Sequence, residues 1–239
     1  MNKPTEQQVH DFNIRVKSRG LRGDQLITYK EKLTLTLVQK DIIIGTLLGD
    51  ASIRASKAAN YNIKFEQKYT QLEYLKHLYK VFEPYVGTGP RMRVIRNSFH
   101  KDYGVSCWFR TYSHIHFKYY ENRFYKIDEK GKRRKIVPKN IHQMLTPRAL
   151  AYWFMDDGSS RGLCYQINTQ GFTQSEQKIL IKALKRNFGL NFDQIKDRSY
   201  YRLQLPQRER LVFEKLIRPY IRPTFEYKLK LTKSARQKK

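Results

Sequence analysis

Two apolar stretches of the sequence end in aspartate, at corresponding points of its two halves. The stretch "ALAYWFMDDGS" ends in Asp156 and Asp157 followed by Gly158, and "IIIGTLLGD" ends in Asp50. The C-terminus of a helix carries partial negative charge, so a carboxylate there costs about 0.3–1 kcal/mol unless a cation lies nearby. An Asp-Gly pair is commonly a surface cap or turn, but its recurrence in register favours a chemical role.

The apolar stretches themselves are predicted to be helices that pack against each other. Thr146 and Pro147 form a strong helix start, with a hydroxyl N-cap and a proline in the first turn. Thr36 and Gln39 can cap the first helix in a similar way, and Gly158 is a natural stop for the second. Gly45 and Gly49 are four residues apart, a spacing that lets another helix approach closely.

Side-by-side packing of these helices would bring Asp50 and Asp157 together. Two adjacent carboxylates repel each other unless a divalent cation lies between them. Ligands that are all oxygen favour Mg²⁺, with Mn²⁺ or Ca²⁺ able to occupy the same sites, over zinc. The sequence therefore predicts a divalent metal site at the ends of the two helices.

The amino-acid sequence after each of these aspartates also repeats, which predicts two copies of one folding unit. In each copy the motif helix is followed by an alternating strand. A second helix then begins at an aromatic-Thr-Gln-x-Glu pattern, and a hairpin and a third helix come after it. The capping-box pairs are Thr70 with Glu73 and Thr173 with Glu176. We predict an α+β fold of two pseudo-symmetric αββαββα repeats, over residues 36–140 and 141–239. Residues 1–35 lie outside the repeat as an arm or small helix.

Alternation along the first strand of each copy separates an apolar side from a polar side. In the first copy Asn62, Lys64 and Glu66 oppose Tyr61, Ile63 and Phe65. In the second copy the alternation predicts a strand from 165 to 170 whose polar side carries amides. Amides and lysines suit base edges and phosphates, although ordinary solvated sheets look similar.

Composition indicates a folded protein with a polyanionic partner. The 239 residues carry a formal net charge of +27, and 40% are hydrophobic. Nucleic acid explains that charge better than a membrane surface, because the apolar runs are too short to span a bilayer. Cys107 and Cys164 lack metal-ligand spacing, which indicates free thiols in a reducing compartment. The N-terminus does not read as a targeting segment.

At this point the sequence resembles the LAGLIDADG homing endonucleases in their single-chain, two-repeat form. The two motifs are "IIGTLLGDA" (Ile43–Ala51) and "LAYWFMDDG" (Leu150–Gly158), and the resemblance covers nearly all of the chain from about residue 36. It implies motif helices at a central interface and two antiparallel sheets that form a saddle on the major groove of double-stranded DNA. It also implies Mg²⁺-dependent cutting of both strands of a long asymmetric target, leaving 3′ overhangs.

The resemblance assigns roles to individual positions. Asp50 and Asp157 are the implied catalytic metal ligands, joined by the carbonyls of Gly49 and Asp156. The basic active-site residues fall on Lys135 and Lys228, and the polar residues that orient water fall on Glu66 and Gln170. We assign contacts to DNA to the following five side chains: Arg54, Asn62, Lys64, Gln166 and Asn168.

Two positions depart from the family pattern. Ala51 replaces the last glycine of the first motif, and Tyr152 stands where the consensus has glycine. Ala51 weakens the explanation of the first motif's end as a simple glycine C-cap. Tyr152 predicts that the pair of motif helices is not uniformly close-packed. Neither departure touches the acids.

The sequence therefore predicts a monomeric, site-specific homing endonuclease that is encoded in an intron. Two alternatives use the same fold: an intron RNA maturase, and a DNA-binding regulator that does not cut. Both acids are present, which argues against the regulator and against a maturase without cutting activity. Abundant Lys, Ile, Tyr and Asn are typical of an AT-rich genome, so we expect a mitochondrion or chloroplast if the chain is organelle-encoded.

Overall fold

The computed structural model describes residues 2–55, 61–96 and 102–230. The chain divides into two compact units. Unit 1 comprises Met1–Gln39 and Asp50–Tyr119, and unit 2 comprises Lys40–Gly49 and Tyr120–Lys239. These units differ from the predicted repeats, because most of the first motif helix packs with the second one in unit 2.

The first half of the chain runs through four helices and four strands. They are α1 (Glu6–Ile14), α2 (Gly23–Glu31), α3 (Leu37–Leu48), β1 (Ser52–Ala55), β2 (Tyr61–Lys68), α4 (Leu72–Phe82), β3 (Arg91–Arg96) and β4 (Tyr103–Arg110). The strands form an antiparallel sheet, sheet 1, in the order β1-β2-β4-β3. Its inner face is apolar: the Phe65 ring centroid lies 4.9 Å from those of Phe82 and Phe109.

The opposite, outer face of sheet 1 is strongly basic. Cross-strand register places Lys64 opposite Arg110, Glu66 opposite Trp108 and Arg91 opposite Trp108. The same face continues on β1, where Ser52 pairs with Lys64 and Arg54 with Asn62. Its charged members are Arg54, Lys64, Glu66, Lys68, Arg91, Arg93 and Arg110.

The N-terminal segment, predicted as an arm or small helix, contains the helices α1 and α2 and belongs to unit 1. Helix α1 lies along β3, the edge strand, and the side chain of Asn13 makes hydrogen bonds of 2.8 Å to both the N–H and the C=O of Met92. Farther on, Ser18 forms an isolated bridge with Thr88. The Asn13 bonds satisfy backbone groups of Met92 that an edge strand would otherwise leave open to pairing.

The second half of the chain repeats the pattern of the first. Its elements are α5 (His116–Phe124), β5 (Tyr125–Ile127), β6 (Arg133–Lys135), α6 (Pro147–Asp157), β7 (Gly158–Arg161), β8 (Cys164–Ile167), α7 (Gln174–Phe188), β9 (Asp193–Asp197), β10 (Tyr200–Leu205) and α8 (Arg210–Ile217). Sheet 2 is antiparallel in the order β7-β8-β10-β9, and β5 and β6 form a separate hairpin. Phe154 packs edge-on against Tyr165 and Phe213, at centroid distances of 5.5 and 5.1 Å.

The predicted fold class is confirmed. The order helix, two strands, helix, two strands, helix occurs twice, starting at α3 and at α6. The β5–β6 hairpin is an addition to the predicted order of elements. The predicted strand from 165 to 170 is too long: β8 ends at Ile167, and Thr169 and Gln170 lie in the segment that follows.

One of the two predicted capping boxes in the strand-to-helix turns is wrong. Thr173 and Glu176 form the complete box at the start of α7. The chain enters α4 differently, through a 3₁₀ turn over Tyr69–Gln71, and Gln71 is the N-cap without a side-chain bond. The reason is that β2 continues to Lys68, so Thr70 is used in the turn and does not reach the cap position.

Two further expectations concern the membrane and the thiols. Within the residues the structure describes, no helix has the length and apolar character needed to cross a bilayer. Cys107 and Cys164 are both free cysteines. Burial raises the pKa of the Cys107 thiol to about 11, which suits a packed, unreactive side chain.

Candidate active site

Helix α3 presents Asp50 just beyond its C-terminal end. The predicted cap is present at its start, where Thr36 Oγ1 accepts from the Gln39 N–H at 3.1 Å and Gln39 Oε1 accepts from the Thr36 N–H at 3.0 Å. The helix then runs as a buried apolar rod from Ile42 to Leu48. Because the chain turns at Gly49, the side chain of Asp50 is exposed at the end of this rod.

Helix α6 presents Asp157 in the same way. Thr146 is its N-cap, with the hydroxyl accepting from the Ala149 N–H, and a proline follows in the first turn. Gly158 ends the helix with extended backbone, not with the left-handed conformation of a simple glycine cap. A Cβ at Gly158 would lie 2.1 Å from the Phe154 ring, so glycine is needed for the space it leaves.

The two motif helices approach closely in unit 2, as the glycine spacing predicted. A Cβ at Gly45 would lie 2.3 Å from the Ala149 carbonyl oxygen and 2.9 Å from Tyr152 Cβ. A Cβ at Gly49 would lie 2.6 Å from Asp156 Cβ. Tyr152 therefore fits at its unusual position because Gly45, opposite, has no side chain.

A lysine binds the C-terminal carbonyls of each motif helix. Lys135 Nζ donates to the Gly49 carbonyl at 2.7 Å. Lys228 Nζ donates to the Met155 carbonyl at 2.5 Å and lies 3.3 Å from the Asp156 carbonyl. These ammonium groups offset the negative ends of the helices beside the acids. Two of the carbonyls assigned to a metal are therefore hydrogen-bonded to lysines in this structure.

Asp50 is contacted by Gln67, a residue that sequence reasoning missed. Gln67 Nε2 donates to Asp50 Oδ2 at 3.1 Å, and Gln67 itself is buried among the inner-face residues of sheet 1. A signal was available, because Gln67 and Gln170 each lie three residues before the Thr of their repeat, Thr70 and Thr173. The resemblance had paired Gln170 with Glu66 instead.

Glu66 lies on the outer face of sheet 1 in a compact ionic cluster. It forms ion pairs with Lys64 and, at 2.6 Å, with Arg93, and Ser106 Oγ donates to it at 2.6 Å. Burial alone would raise the pKa of the Glu66 carboxyl, but these hydrogen bonds and charges lower it below its ordinary value. The carboxylate is therefore held ionised by three neighbours on the sheet.

The second repeat places its polar residues differently. The Asn168 N–H donates to the backbone carbonyl of Asp157 at 3.0 Å, which fixes the end of α6. Gln170 donates from Nε2 to Asp197 Oδ2 at 3.1 Å. The structure thus brings Gln67 to the first acid and ties Gln170 to β9.

The five side chains assigned to DNA contacts fall into two groups. Arg54 and Asn168 are exposed and Asn62 is half-buried. Lys64 and Gln166 are buried, against the expectation that they reach bases directly. Lys64 is paired with Glu66, and Gln166 Nε2 donates to Gln204 at 2.7 Å, so both side chains are already bonded to neighbours on their own sheet.

Comparison with known proteins decides the family. The profile of the LAGLIDADG DNA endonuclease family matches residues 40–213, a range that includes both Asp50 and Asp157. The chain belongs to this family. Its two motifs are the α3 and α6 segments described above, and the resemblance seen in the sequence is confirmed.

Relatives of this LAGLIDADG chain are similar to it over most of their lengths. The probable intron-encoded endonuclease 1 of Wickerhamomyces canadensis is 32% identical over 209 residues, which cover 84% of this chain and 87% of the relative. The cytochrome b mRNA maturase bI2 of Debaryomyces hansenii is 31% identical over 219 residues, covering 87% and 79%. The solved structure of the homing endonuclease I-WcaI bound to its DNA recognition sequence matches with a TM-score of 0.79 at 29% identity, covering 90% of this chain and 96% of that one.

The donor set of the LAGLIDADG motifs fits a hard divalent cation. In the described ranges no three His, Cys, Asp or Glu side chains are grouped to hold a metal ion. Mg²⁺ does not need such a cage, because it is commonly bound by one or two carboxylates together with water and substrate phosphate oxygens. Asp50, Asp157 and the neighbouring carbonyls are oxygen donors of that kind.

Proposed function

We propose that this chain is an intron-encoded, site-specific endonuclease that hydrolyses both strands of a long, asymmetric double-stranded DNA target and leaves 3′ overhangs. One observation carries the proposal most directly: Asp157 is the last residue of α6, Asp50 lies two residues beyond α3, and the carbonyls just before each aspartate accept from a lysine. This arrangement places an oxygen ligand and a cation at the same helix end, twice in one chain. Phosphodiester hydrolysis uses both groups.

The acids hold the divalent metal in this proposal. Asp50 and Asp157 each supply a carboxylate, with Mg²⁺ as the physiological ion and Mn²⁺ or Ca²⁺ able to replace it. When bound there, such an ion would supply an activated water and offset negative charge on the leaving oxygen. Gln67 keeps Asp50 oriented, since its side-chain amide donates to Oδ2 of that carboxylate.

Lys135 and Lys228 act on the phosphate in this proposal. Each ammonium group is held at the end of a motif helix by a hydrogen bond to a backbone carbonyl. A positive charge fixed in advance stabilises the negative charge that develops on phosphorus. A hydrogen bond from lysine does not prevent the Gly49 and Asp156 carbonyl oxygens from acting as metal ligands, because a carbonyl oxygen has two lone pairs.

The outer faces of the two sheets are the proposed DNA-binding surfaces. Exposed arginines on sheet 1, such as Arg54 and Arg110, suit phosphates and guanine edges. Exposed Asn168 beside sheet 2 suits adenine. Lys64 and Gln166 are buried beneath the surfaces of these outer faces, and they act indirectly by positioning Glu66 and Gln204.

A maturase activity is the second candidate, and a specific observation favours it. The Debaryomyces hansenii relative that is 31% identical over most of this chain is named a cytochrome b mRNA maturase. RNA binding and DNA cutting are compatible on one fold, so this activity would add to the first. Intron coding in a mitochondrion or chloroplast belongs to the same proposal.

The test is cleavage of candidate intron-insertion sites by the wild type and by Asp50→Asn and Asp157→Asn, in Mg²⁺ and in EDTA. We expect Mg²⁺-dependent double-strand cutting at one long site, lost in either variant while DNA binding survives. Asp24→Asn, which changes an exposed acid on α2, is the matched control and should cut normally. Tight binding of intron RNA by a wild type that cuts no site would replace this proposal with the maturase.

A further inference from the structure

The outer face of sheet 1 carries six basic side chains and one acidic side chain, counted over the described strands. Arg91, Arg93 and Arg110 are exposed at its surface, and so are Arg54 and Lys68. Glu66 is the acid, and it is already shared between Lys64 and Arg93. Most of the positive charge on this face therefore has no carboxylate beside it on the same face.

Some of these cations are also placed against one another. Lys64 and Arg110 are directly opposite across β2 and β4, a like-charged cross-strand pair that is destabilising in the free protein. Burial lowers the pKa of the Arg110 guanidinium, and the charge of Arg54 lowers it further. An approaching polyanion would relieve this repulsion, so the face is built for a phosphate-rich partner.

The basic surface continues onto the N-terminal segment. The Gly89 N–H donates to the Lys17 carbonyl at 3.2 Å, and the Arg19 N–H donates to the Gly87 carbonyl at 2.8 Å. These bonds seat the exposed residues Lys17 and Arg19 next to the loop before β3. That loop also lines a cavity of about 280 Å³ together with outer-face residues of sheet 1, namely Arg91, Trp108 and Arg110.

The outer face of sheet 2 is different. Its charged strand residues are two basic and two acidic: Arg161, Arg202, Asp193 and Asp197. Arg202 is paired with Asp197 and also donates to Gln166 at 3.2 Å. Uncharged Ser159, Gln166, Gln204 and Tyr200 make up much of the rest. This face has polar groups for base edges but no excess of charge for phosphates.

We propose that the two half-sites of the DNA target are held with unequal strength: unit 1 supplies most of the phosphate contacts, and the enzyme stays on the half-site that unit 1 contacts after both strands are cut. This rests on the proposed function, since it takes the outer faces as the DNA-binding surfaces. Each neutralised phosphate releases a counter-ion and steepens the dependence of affinity on salt by about 0.9. A face rich in unpaired cations is therefore the anchor, and a face with balanced charge reads sequence with less affinity.

The first arm of the test measures binding to a random-sequence duplex, which does not depend on cutting. Log Kd against log salt is compared for the wild type, for Arg91→Ser with Arg110→Ser on sheet 1, and for Arg161→Ser with Arg202→Ser on sheet 2. We expect the slope to fall by about 2 in the sheet 1 variant and by less than half as much in the sheet 2 variant. Lys178→Gln with Lys182→Gln, on the exposed surface of α7, controls for net charge and should leave the slope unchanged.

The second arm follows the products after the full target is cut in Mg²⁺. We expect one product duplex to remain bound and the other to be released, with retention lost in the sheet 1 variant and kept in the sheet 2 variant. Equal slopes for the two variants, or equal release of both products by the wild type, would overturn the proposal. Because cutting is scored separately on the same gel, an enzyme that cuts but holds both halves equally refutes only the unequal half-sites.

Discussion

Gln67 donates a hydrogen bond of 3.1 Å from its side-chain amide to Oδ2 of Asp50. The donor comes from the inner face of sheet 1 and the acceptor from the end of the first motif helix, so the bond joins the strand layer to the acid. An amide can hold a carboxylate without adding charge beside it. Gln67 is therefore placed to orient Asp50.

We predict that Gln67→Ala slows cleavage by about tenfold to one-hundredfold, because a hydrogen bond to a charged group contributes about 1.5–3 kcal/mol. Single-turnover cutting at a series of Mg²⁺ concentrations measures the effect, and higher Mg²⁺ should restore part of the rate if Gln67 orients a metal ligand. Gln174→Ala, at the exposed start of α7, is the control. Wild-type cutting by Gln67→Ala at every Mg²⁺ concentration would contradict a positioning role.

Lys135→Met is predicted to reduce the cutting rate by about 10²–10³-fold, the loss expected when one preorganised donor is removed from a site of developing charge. Lys228→Met should do the same, since its ammonium group is bound to the other motif helix in the same way. DNA affinity should change little in both variants. Filter binding in Ca²⁺ and single-turnover cutting in Mg²⁺ separate the two quantities.

The matched control for the lysines is Lys139→Met, which removes an exposed lysine from the loop after β6. It should cut at the wild-type rate. If the site variants weakened DNA binding by the same factor as cutting, the two lysines would be phosphate clamps without a role in the transition state.

Gly45→Ala is predicted to lower the free energy of unfolding by about 1–3 kcal/mol, the usual cost of overpacking a close-packed interior. The added Cβ would lie 2.3 Å from the Ala149 carbonyl oxygen, and backbone cannot move away as a flexible side chain could. Gly171→Ala is the comparison, because a Cβ there meets nothing within 4 Å. Urea unfolding of both variants should show a loss only for Gly45→Ala, and equal stability of the two would disprove the close approach.

Stability at acid pH is predicted to depend on Glu66. Its folded-state pKa is depressed, so its contribution is present above its ordinary pKa of about 4.5 and is lost as the pH falls through the lower folded value. Glu66→Gln should therefore flatten the fall in unfolding free energy below about pH 4.5 relative to wild type. Denaturant titrations at steps between pH 3 and 7 give this comparison, and parallel curves would show that the Lys64–Glu66–Arg93 cluster is not coupled to folding.

Local patterns in the chain were sufficient for the architecture. Thr146 and Pro147 start α6 as predicted, Thr36 and Gln39 cap α3, and Thr173 with Glu176 starts α7. Apolar residues at helical spacing and alternating strands then lead to the αββαββα order. These features depend on neighbours within a few residues, where backbone hydrogen bonds and capping are local physics.

Register and contact between distant segments were decided by the tertiary structure. The resemblance assigned a water-orienting role to Glu66, but pleating turns Glu66 to the outer face of sheet 1 and Gln67 inward to Asp50. Thr70 does not cap α4, because β2 continues to Lys68 and Thr70 falls in the turn that follows. A shift of one residue reverses the face of a side chain, and the period of the sequence does not distinguish the two registers.

The sequence by itself determined the family, the two motif helices, the glycines that let them pack and the acids at their ends. Only the tertiary structure decided which lysine meets which carbonyl, that Lys64 and Gln166 are covered by their neighbours, and that sheet 1 is basic while sheet 2 is balanced. The physical reason is that helix formation and apolar periodicity are encoded over a few residues. Burial and charge pairing instead depend on which strands become neighbours in the sheets. That pairing is determined by contacts between residues far apart in the chain.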